Sequence, residues 1–87
     1  MTDEAHVDGN AIGGMLMEVF GREMTDAHGC CATCGMVHAL GAMLVYRGPG
    51  AVVRCPSCGN VVVVAVTIND RPRMHVTALR WLAPPDR

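Results

Sequence analysis

The sequence contains no lysine, and only 3% of its residues are aromatic, with one Phe, one Tyr and one Trp. Its seven arginines are balanced by eight acidic residues, so the net charge is −1. That balance excludes the strongly basic composition of an autonomous nucleic-acid-binding domain. Because aromatics are scarce, the apolar interior must consist mainly of Val, Ala, Leu and Met, and a core rich in Met and Gly specifies its packing weakly. Something other than apolar packing must fix the fold.

The sequence also lacks long apolar runs and the common catalytic motifs. Its longest strongly apolar run is residues 61–66, far short of the roughly 18 residues of a membrane span. Residues 1–8 have neither the basic nor the apolar region of a signal peptide, so we expect a cytoplasmic protein that does not bind membranes. Nucleotide-binding and zinc-hydrolase motifs are missing, and Ser57 is the only serine. We therefore expect no enzymatic activity.

The length of 87 residues allows one small domain. We predict this domain over residues 10–82, with a flexible segment before it at 1–9 and a tail after it at 83–87. A helix over 10–21 is indicated by an apolar stripe at helical spacing and by Gly21, which can end the helix in a left-handed conformation. The stripe consists of Ile12, Met15, Leu16, Val19 and Phe20.

The rest of the domain, residues 25–82, has the short runs and turn residues typical of antiparallel strands. Residues 42–47 and 51–54 flank Gly48-Pro49-Gly50, which predicts a hairpin with a three-residue loop. Residues 61–68 are almost entirely β-branched, which predicts a central strand covered on both faces. A turn at 69–72 and a returning strand over 73–79 complete the pattern.

Four of the five cysteines form two Cys-x-x-Cys-Gly units separated by 20 residues, which we call the first and second knuckle. The first knuckle is residues 31–35 and the second is residues 55–59. Two such units supply four thiolates to one tetrahedral metal ion, as in the structural sites called zinc ribbons. We predict a small α+β metal-bound domain: a zinc ribbon of antiparallel hairpins with an N-terminal amphipathic helix. The predicted ligands are Cys31, Cys34, Cys55 and Cys58.

Zinc is favoured over iron as the bound metal, with one Zn²⁺ per chain. Both ions accept four thiolates, and the second knuckle, Cys55-Pro56-Ser57-Cys58-Gly59, is similar to a rubredoxin knuckle. Rubredoxin-like domains pack several aromatics around iron, however, and here the three aromatics are far apart in sequence. Four thiolates leave no open coordination position, so the zinc would be structural.

Three other side chains near the first knuckle are alternative ligands. Cys30 and Cys34 could form a pair with a gap of three, but Cys31 keeps the gap of two that the second knuckle shows. We therefore expect Cys30 to be a small apolar neighbour of the site, with a reactive thiol as the alternative. His28 and His38 are expected to be bystanders, because four cysteines already complete the tetrahedron.

Three segments together resemble a small actinobacterial family of zinc-ribbon-like proteins of unknown function: residues 8–11, the two knuckles, and residues 52–61. The resemblance extends over roughly residues 8–82 and implies a fold and a metal but no activity. Cys30 is not part of that family's pattern. Such families are associated with flavin or molybdenum oxidoreductase genes, which implies an accessory or electron-transfer role.

These features predict a non-enzymatic zinc module that acts as a protein-interaction or accessory subunit, so its expected partner is another protein. The alternatives are a rubredoxin-like iron protein that serves an oxidoreductase, and a zinc ribbon that binds nucleic acid. Residues 1–26 contain six acidic residues and one arginine, whereas residues 45–87 contain six arginines and two acidic residues. We expect the helix to dock with its acidic residues near these arginines, which makes nucleic-acid binding unlikely.

Overall fold

A computed structural model of the protein describes residues 6–85. Its regular elements are one α-helix and eight short strands, with 3-10 turns at Gly9–Ile12 and Leu40–Ala42. In chain order these elements are β1 (Val7–Asp8), α1 (Gly13–Phe20), β2 (His28–Cys31), β3 (Val37–Ala39), β4 (Leu44–Arg47), β5 (Ala51–Arg54), β6 (Val61–Ile68), β7 (Arg71–Val76) and β8 (Leu79–Ala83). The domain is therefore α+β, as the sequence predicts.

The strands form two antiparallel sheets. The larger sheet has five strands in the order β1-β4-β5-β6-β7, and the smaller has three in the order β3-β2-β8. The predicted hairpin around Gly48–Gly50 is β4–β5, and the returning strand is β7, which starts two residues earlier than expected. Strands β2, β3 and β8 are additions that the sequence pattern does not reveal.

The core lies between one face of the five-stranded sheet, helix α1 and the smaller sheet. Its most deeply buried large side chains include Met43, Val45, Val53 and Val62. Strand β6 has the predicted bounds, but the expectation that both its faces are covered holds only for its first half, where the adjacent residues Val62 and Val63 are both buried. The last three residues of the strand, 66–68, are exposed.

Helix α1 covers less of the predicted segment 10–21 than expected, because the 3-10 turn Gly9–Ile12 occupies its start. Gly21 ends the helix in the left-handed conformation (φ 73°), as predicted. The apolar stripe is docked at its first half only: Ile12 and Leu16 are buried, whereas Val19 and Phe20 are exposed. No helix within residues 6–85 is long and apolar enough to cross a membrane.

The ends of the chain differ in detail from the predicted boundaries. Residues 1–5 of the predicted flexible segment lie outside the described residues, but Val7 and Asp8 pair with β4 as strand β1. Of the predicted tail, Ala83 belongs to β8, and residues 86–87 lie outside the described part.

Candidate metal centre

Each knuckle is the tip of an antiparallel hairpin. The first joins β2 to β3 in the smaller sheet, and the second joins β5 to β6 in the larger sheet. The metal-ligating candidates therefore come from two different sheets, and they meet where the two hairpin tips face each other. A hairpin tip suits this task because its sheet fixes both arms and leaves the turn residues free to present their side chains.

The backbones of the two knuckles follow the same path. In the first, the N–H of Gly35 donates to the carbonyl of Cys31 at 2.9 Å, and in the second, the N–H of Gly59 donates to that of Cys55 at 2.8 Å. Both glycines have a positive φ, 79° and 78°, in the left-handed region that glycine adopts without strain. Glycine at this offset is what turns each chain back toward its second arm.

The structure brings together the four cysteines that the sequence singles out. Their Sγ atoms all lie within 4.8 Å of one another. Across the knuckles, the Sγ atoms of Cys31 and Cys58 are 3.7 Å apart, as are those of Cys34 and Cys55. A disulfide bond would require about 2.05 Å, so the thiols are free. A tetrahedron with metal–sulfur bonds of about 2.3 Å places its sulfurs about 3.8 Å apart. The cluster can therefore hold one metal ion.

Burial alternates within the site in the same way in both knuckles. The first cysteine of each, Cys31 or Cys55, is buried, and the second, Cys34 or Cys58, is exposed. The inner two sulfurs therefore face the core, and the outer two close the site toward solvent.

Backbone N–H groups directed at the sulfurs lower the pKa of Cys31 to about 6, against the ordinary value of 9.0. The strongest contribution comes from the N–H of Cys34, opposed by desolvation, with further help from the N–H of Thr33. In the second knuckle, the N–H of Ser57 reaches Cys55 Sγ at 3.4 Å. The donors at Cys31 favour the thiolate form of this side chain, which a metal ion requires.

The pKa values of the two exposed cysteines, Cys34 and Cys58, are raised instead of lowered. The N–H of Met36 lowers the pKa of Cys34, but desolvation and the three neighbouring sulfurs outweigh it and raise that pKa to about 12. The N–H of Asn60 lowers the pKa of Cys58. Desolvation and the sulfurs of Cys31 and Cys55 outweigh this effect, so the pKa of Cys58 is raised. Four sulfurs this close cannot all be ionised without a cation between them.

Two polar contacts brace the knuckles against each other. Asn60, just after the second knuckle, donates from Nδ2 to Thr33 Oγ1 at 2.6 Å. Beyond the first knuckle, His38 Nε2 lies 2.8 Å from Ser57 Oγ. Each knuckle thus contacts a residue from the other hairpin, and these contacts hold the two tips in register without using a sulfur.

Among the alternative ligands, His38 lies beside the site and has Ser57 as its partner. His28 is at the far end of β2, paired with Ala39 and Ala83. Cys30 is buried but outside the four-sulfur cluster, and its thiol points at the carbonyls of Gly35 (3.6 Å) and Cys31 (3.9 Å). Cys31 is therefore the member of the adjacent pair that joins the cluster.

Arg54 is a further residue that supports the site, and the sequence pattern did not identify it. Arg54 precedes the second knuckle as Cys30 precedes the first, and its Nη1 donates to the carbonyl of Gly59 at 2.8 Å. Its guanidinium also lies 5.6 Å from the ring centroid of Tyr46. The signal available in the sequence was the equivalent position of Arg54 and Cys30, each immediately before a Cys-x-x-Cys-Gly unit.

Comparisons with known proteins identify the family of the chain but no function for it. No curated protein and no solved structure matches the chain. A family model described as a family of unknown function (DUF6510) matches residues 3–87, which is nearly the whole sequence. The chain therefore belongs to this family of unknown function, DUF6510.

Proposed function

We propose that the protein is a non-enzymatic zinc-binding module in which one Zn²⁺ is held by Cys31, Cys34, Cys55 and Cys58. The supporting observation is the spacing of the four sulfurs, because the 3.7 Å separations across the knuckles suit zinc–thiolate bonds. Four thiolates complete the coordination of the ion and leave no position for water or substrate. The role of the zinc is therefore structural.

The proposed architecture is a zinc ribbon in which the ion connects the two sheets. The free energy available from the metal is large for a chain of 87 residues. Structural zinc contributes about 10–16 kcal/mol of apparent binding free energy, whereas a core of this size contributes roughly 5 kcal/mol or less. The metal-free chain is then expected to lose much of its tertiary structure.

The module acts as a protein-interaction or accessory subunit in the cytoplasm. Support comes from apolar side chains left on the described surface, among them Met36, Val37 and Trp81, which are 50%, 44% and 46% exposed. Val37 and Trp81 both pair with Cys30, so they lie in one row across the smaller sheet. Half-exposed Trp and Met side chains are typical of surfaces that bind other proteins.

Elemental analysis of protein purified under reducing conditions tests the identity of the metal. We expect one zinc per chain and a colourless protein. Iron at the same site would absorb visible light and change with redox state, and it would replace this proposal with an electron-transfer role beside an oxidoreductase.

A matched pair of cysteine variants tests whether the metal is structural. Cys55→Ser removes a proposed ligand and should lose both zinc and most of the far-UV circular dichroism signal of the folded domain. Cys30→Ser alters a buried cysteine outside the cluster and should keep one zinc per chain. A Cys55→Ser protein that stays folded without metal would contradict the structural role, and zinc loss in Cys30→Ser would contradict the ligand set.

A further inference from the structure

Strand β7 is the outer strand of the five-stranded sheet, and within residues 6–85 no strand pairs with its far side. The turn before it, Asn69-Asp70, has two residues with positive φ (53° and 64°), so it is a two-residue hairpin loop closed by Ile68 and Arg71. In such a hairpin the backbone N–H and C=O groups of the closing residue bond to the partner strand. Those of the next residue point away from the partner strand, and the two directions alternate along the strand.

Residues 71, 73 and 75 therefore direct their backbone groups toward β6, and residues 72, 74 and 76 direct theirs outward. Two observations agree with this alternation. The N–H of Thr77, next in the odd series, donates to the carbonyl of Val62 in β6 at 2.9 Å. Pro72, which has no N–H, stands at an outward position, where a sheet tolerates proline. Within residues 6–85, the outward backbone N–H and C=O groups of Met74 and Val76 therefore have no partner strand at the edge.

The two faces of β7 differ in chemistry. On the face away from the core lie Arg71, Arg73 and His75, all exposed, opposite Ile68, Val66 and Val64 of β6. We call these three basic-type side chains the basic row. Helix α1 packs against the core face of the sheet through Leu16, so its one acidic residue, Glu18, does not lie over the basic row. The row is open to a partner of opposite charge.

On the core face, a narrow apolar cavity runs between α1 and β7. Its lining includes Leu16, Phe20, Met74, Val76 and Leu82, and almost all of the surface it exposes is apolar. At its mouth Phe20 is 39% exposed and Val76 is 51% exposed. Phe20, from the exposed half of the helical stripe, therefore borders the open edge of β7.

We propose that the edge of β7 binds an extended segment of a partner protein as a sixth strand. The segment has acidic side chains alternating with apolar ones. Its backbone pairs with Met74 and Val76, its apolar side chains cover Phe20 and Val76 at the mouth of the cavity, and its carboxylates face the basic row. This inference deepens the proposed interaction function and depends on that function, but it does not depend on which metal is bound.

Charge decides between this partner and a second copy of the same chain. If two β7 strands paired edge to edge, Arg71, Arg73 and His75 of one copy would face the same residues of the other. Like charges directly opposite one another destabilise a strand pair. An acidic segment converts the same positions into cross-strand pairs of opposite charge, which stabilise the added strand.

Fluorescence anisotropy with two labelled seven-residue peptides tests the proposal on the full-length, metal-loaded protein. One peptide alternates Glu with Val, and the other alternates Lys with Val. We expect the Glu peptide alone to bind, with an affinity that falls as salt is added. R73E should weaken binding of the Glu peptide and strengthen binding of the Lys peptide. R80E, at an exposed position in the smaller sheet, is the control and should leave the binding of both peptides unchanged.

A backbone variant separates strand addition from charge attraction alone. Val76→Pro removes one outward N–H and should weaken the Glu peptide by about tenfold. Val76→Ile keeps both the N–H and the apolar side chain and should bind normally. Metal content is measured on every variant, so a failure of the zinc proposal appears as missing metal and not as missing peptide binding.

Three results would overturn the proposal. If neither peptide binds, or if both bind equally, the basic row and Pro72 serve only to prevent self-pairing of the edge. A concentration-dependent dimer that Val76→Pro abolishes would assign the edge to a second copy. Binding of a single-stranded oligonucleotide that survives Val76→Pro and is lost in R73E would assign the basic row to nucleic acid.

Discussion

The two knuckles have the same turn, but the strands from which they project differ in how deeply they are buried. The second projects from β5 and β6, the centre of the larger sheet, where Val53 and Val62 are buried. The first projects from β2 and β3, and β3 is a three-residue edge strand whose Val37 is exposed. We therefore expect a metal ion bound by the four cysteines to stabilise the two hairpins unequally. The strands of the second hairpin contribute several buried valines to the core, whereas those of the first contribute little beyond Cys30 and Cys31.

Removal of the metal should give the largest difference between the two hairpins. After treatment with a strong chelator under reducing conditions, we expect amide hydrogen exchange to accelerate first and most over β2 and β3. Protection in β5 and β6 should fall later and less, because buried valines support these strands in addition to the sulfurs. Equal loss of protection in both hairpins would show that β5 and β6 are no more stable without the metal than β2 and β3.

The outer cysteine of each knuckle should make metal affinity depend on pH. In the metal-free protein the raised pKa values of Cys34 and Cys58 keep both thiols protonated at neutral pH, so each knuckle must release at least one proton when the ion binds. The apparent zinc association constant should therefore rise with pH, by at least about 100-fold per unit around pH 7. Below about pH 6 the Cys31 thiol adds a further proton, and the dependence steepens.

Competition with a chromophoric chelator across a pH series measures this dependence. Proton release into a weakly buffered indicator solution provides an independent count. An affinity that stays constant between pH 6 and 8 would mean that the outer thiols are already ionised in the metal-free protein.

The knuckle glycines should show the smallest effect, and an equal one. Gly35→Ala and Gly59→Ala each place a side chain at a φ near +80° in open space, so the cost is backbone strain alone, about 1–2 kcal/mol. Gly14→Ala is the matched control, because Gly14 also has open space around it but lies in α1. This substitution should stabilise the protein by up to about 1 kcal/mol. Chemical denaturation of the zinc-loaded variants measures all three, and a clear difference between Gly35→Ala and Gly59→Ala would break the equivalence of the turns.

The difference between the two hairpins also explains which parts of the structure could be predicted from the sequence. The cysteine cluster, the β4–β5 hairpin and the bounds of β6 are all specified locally, by paired motifs, a Gly-Pro-Gly loop and a β-branched run. The second hairpin was therefore visible in the sequence. Strand β2 was not, because its sequence His28-Gly29-Cys30-Cys31 has no strand-like alternation and pairs with β8, about fifty positions away. Tertiary pairing of this kind overrides local propensity.

The partial docking of helix α1 and the contacts that support the site could not be predicted from the sequence, for related reasons. Helical spacing identified the apolar stripe, but it could not reveal that the sheet would cover Leu16 and leave Phe20 at an open edge. The contacts of Asn60 with Thr33 and of His38 with Ser57 depend on the relative placement of two hairpins. Short-range patterns carry no information about such contacts.

The pairing of β2 with β8 also has a consequence for the order of events during folding. Before the knuckles meet, Cys31 and Leu79 are joined only by the intervening chain of 48 positions. Once one ion joins Cys31 to Cys58, the loop that remains to be closed runs from residue 58 to residue 79. Loop-closure entropy depends on the logarithm of loop length, so this shortening saves about 0.7 kcal/mol, or roughly threefold in the closing rate. A chain that acquires its metal early therefore assembles its smaller sheet sooner.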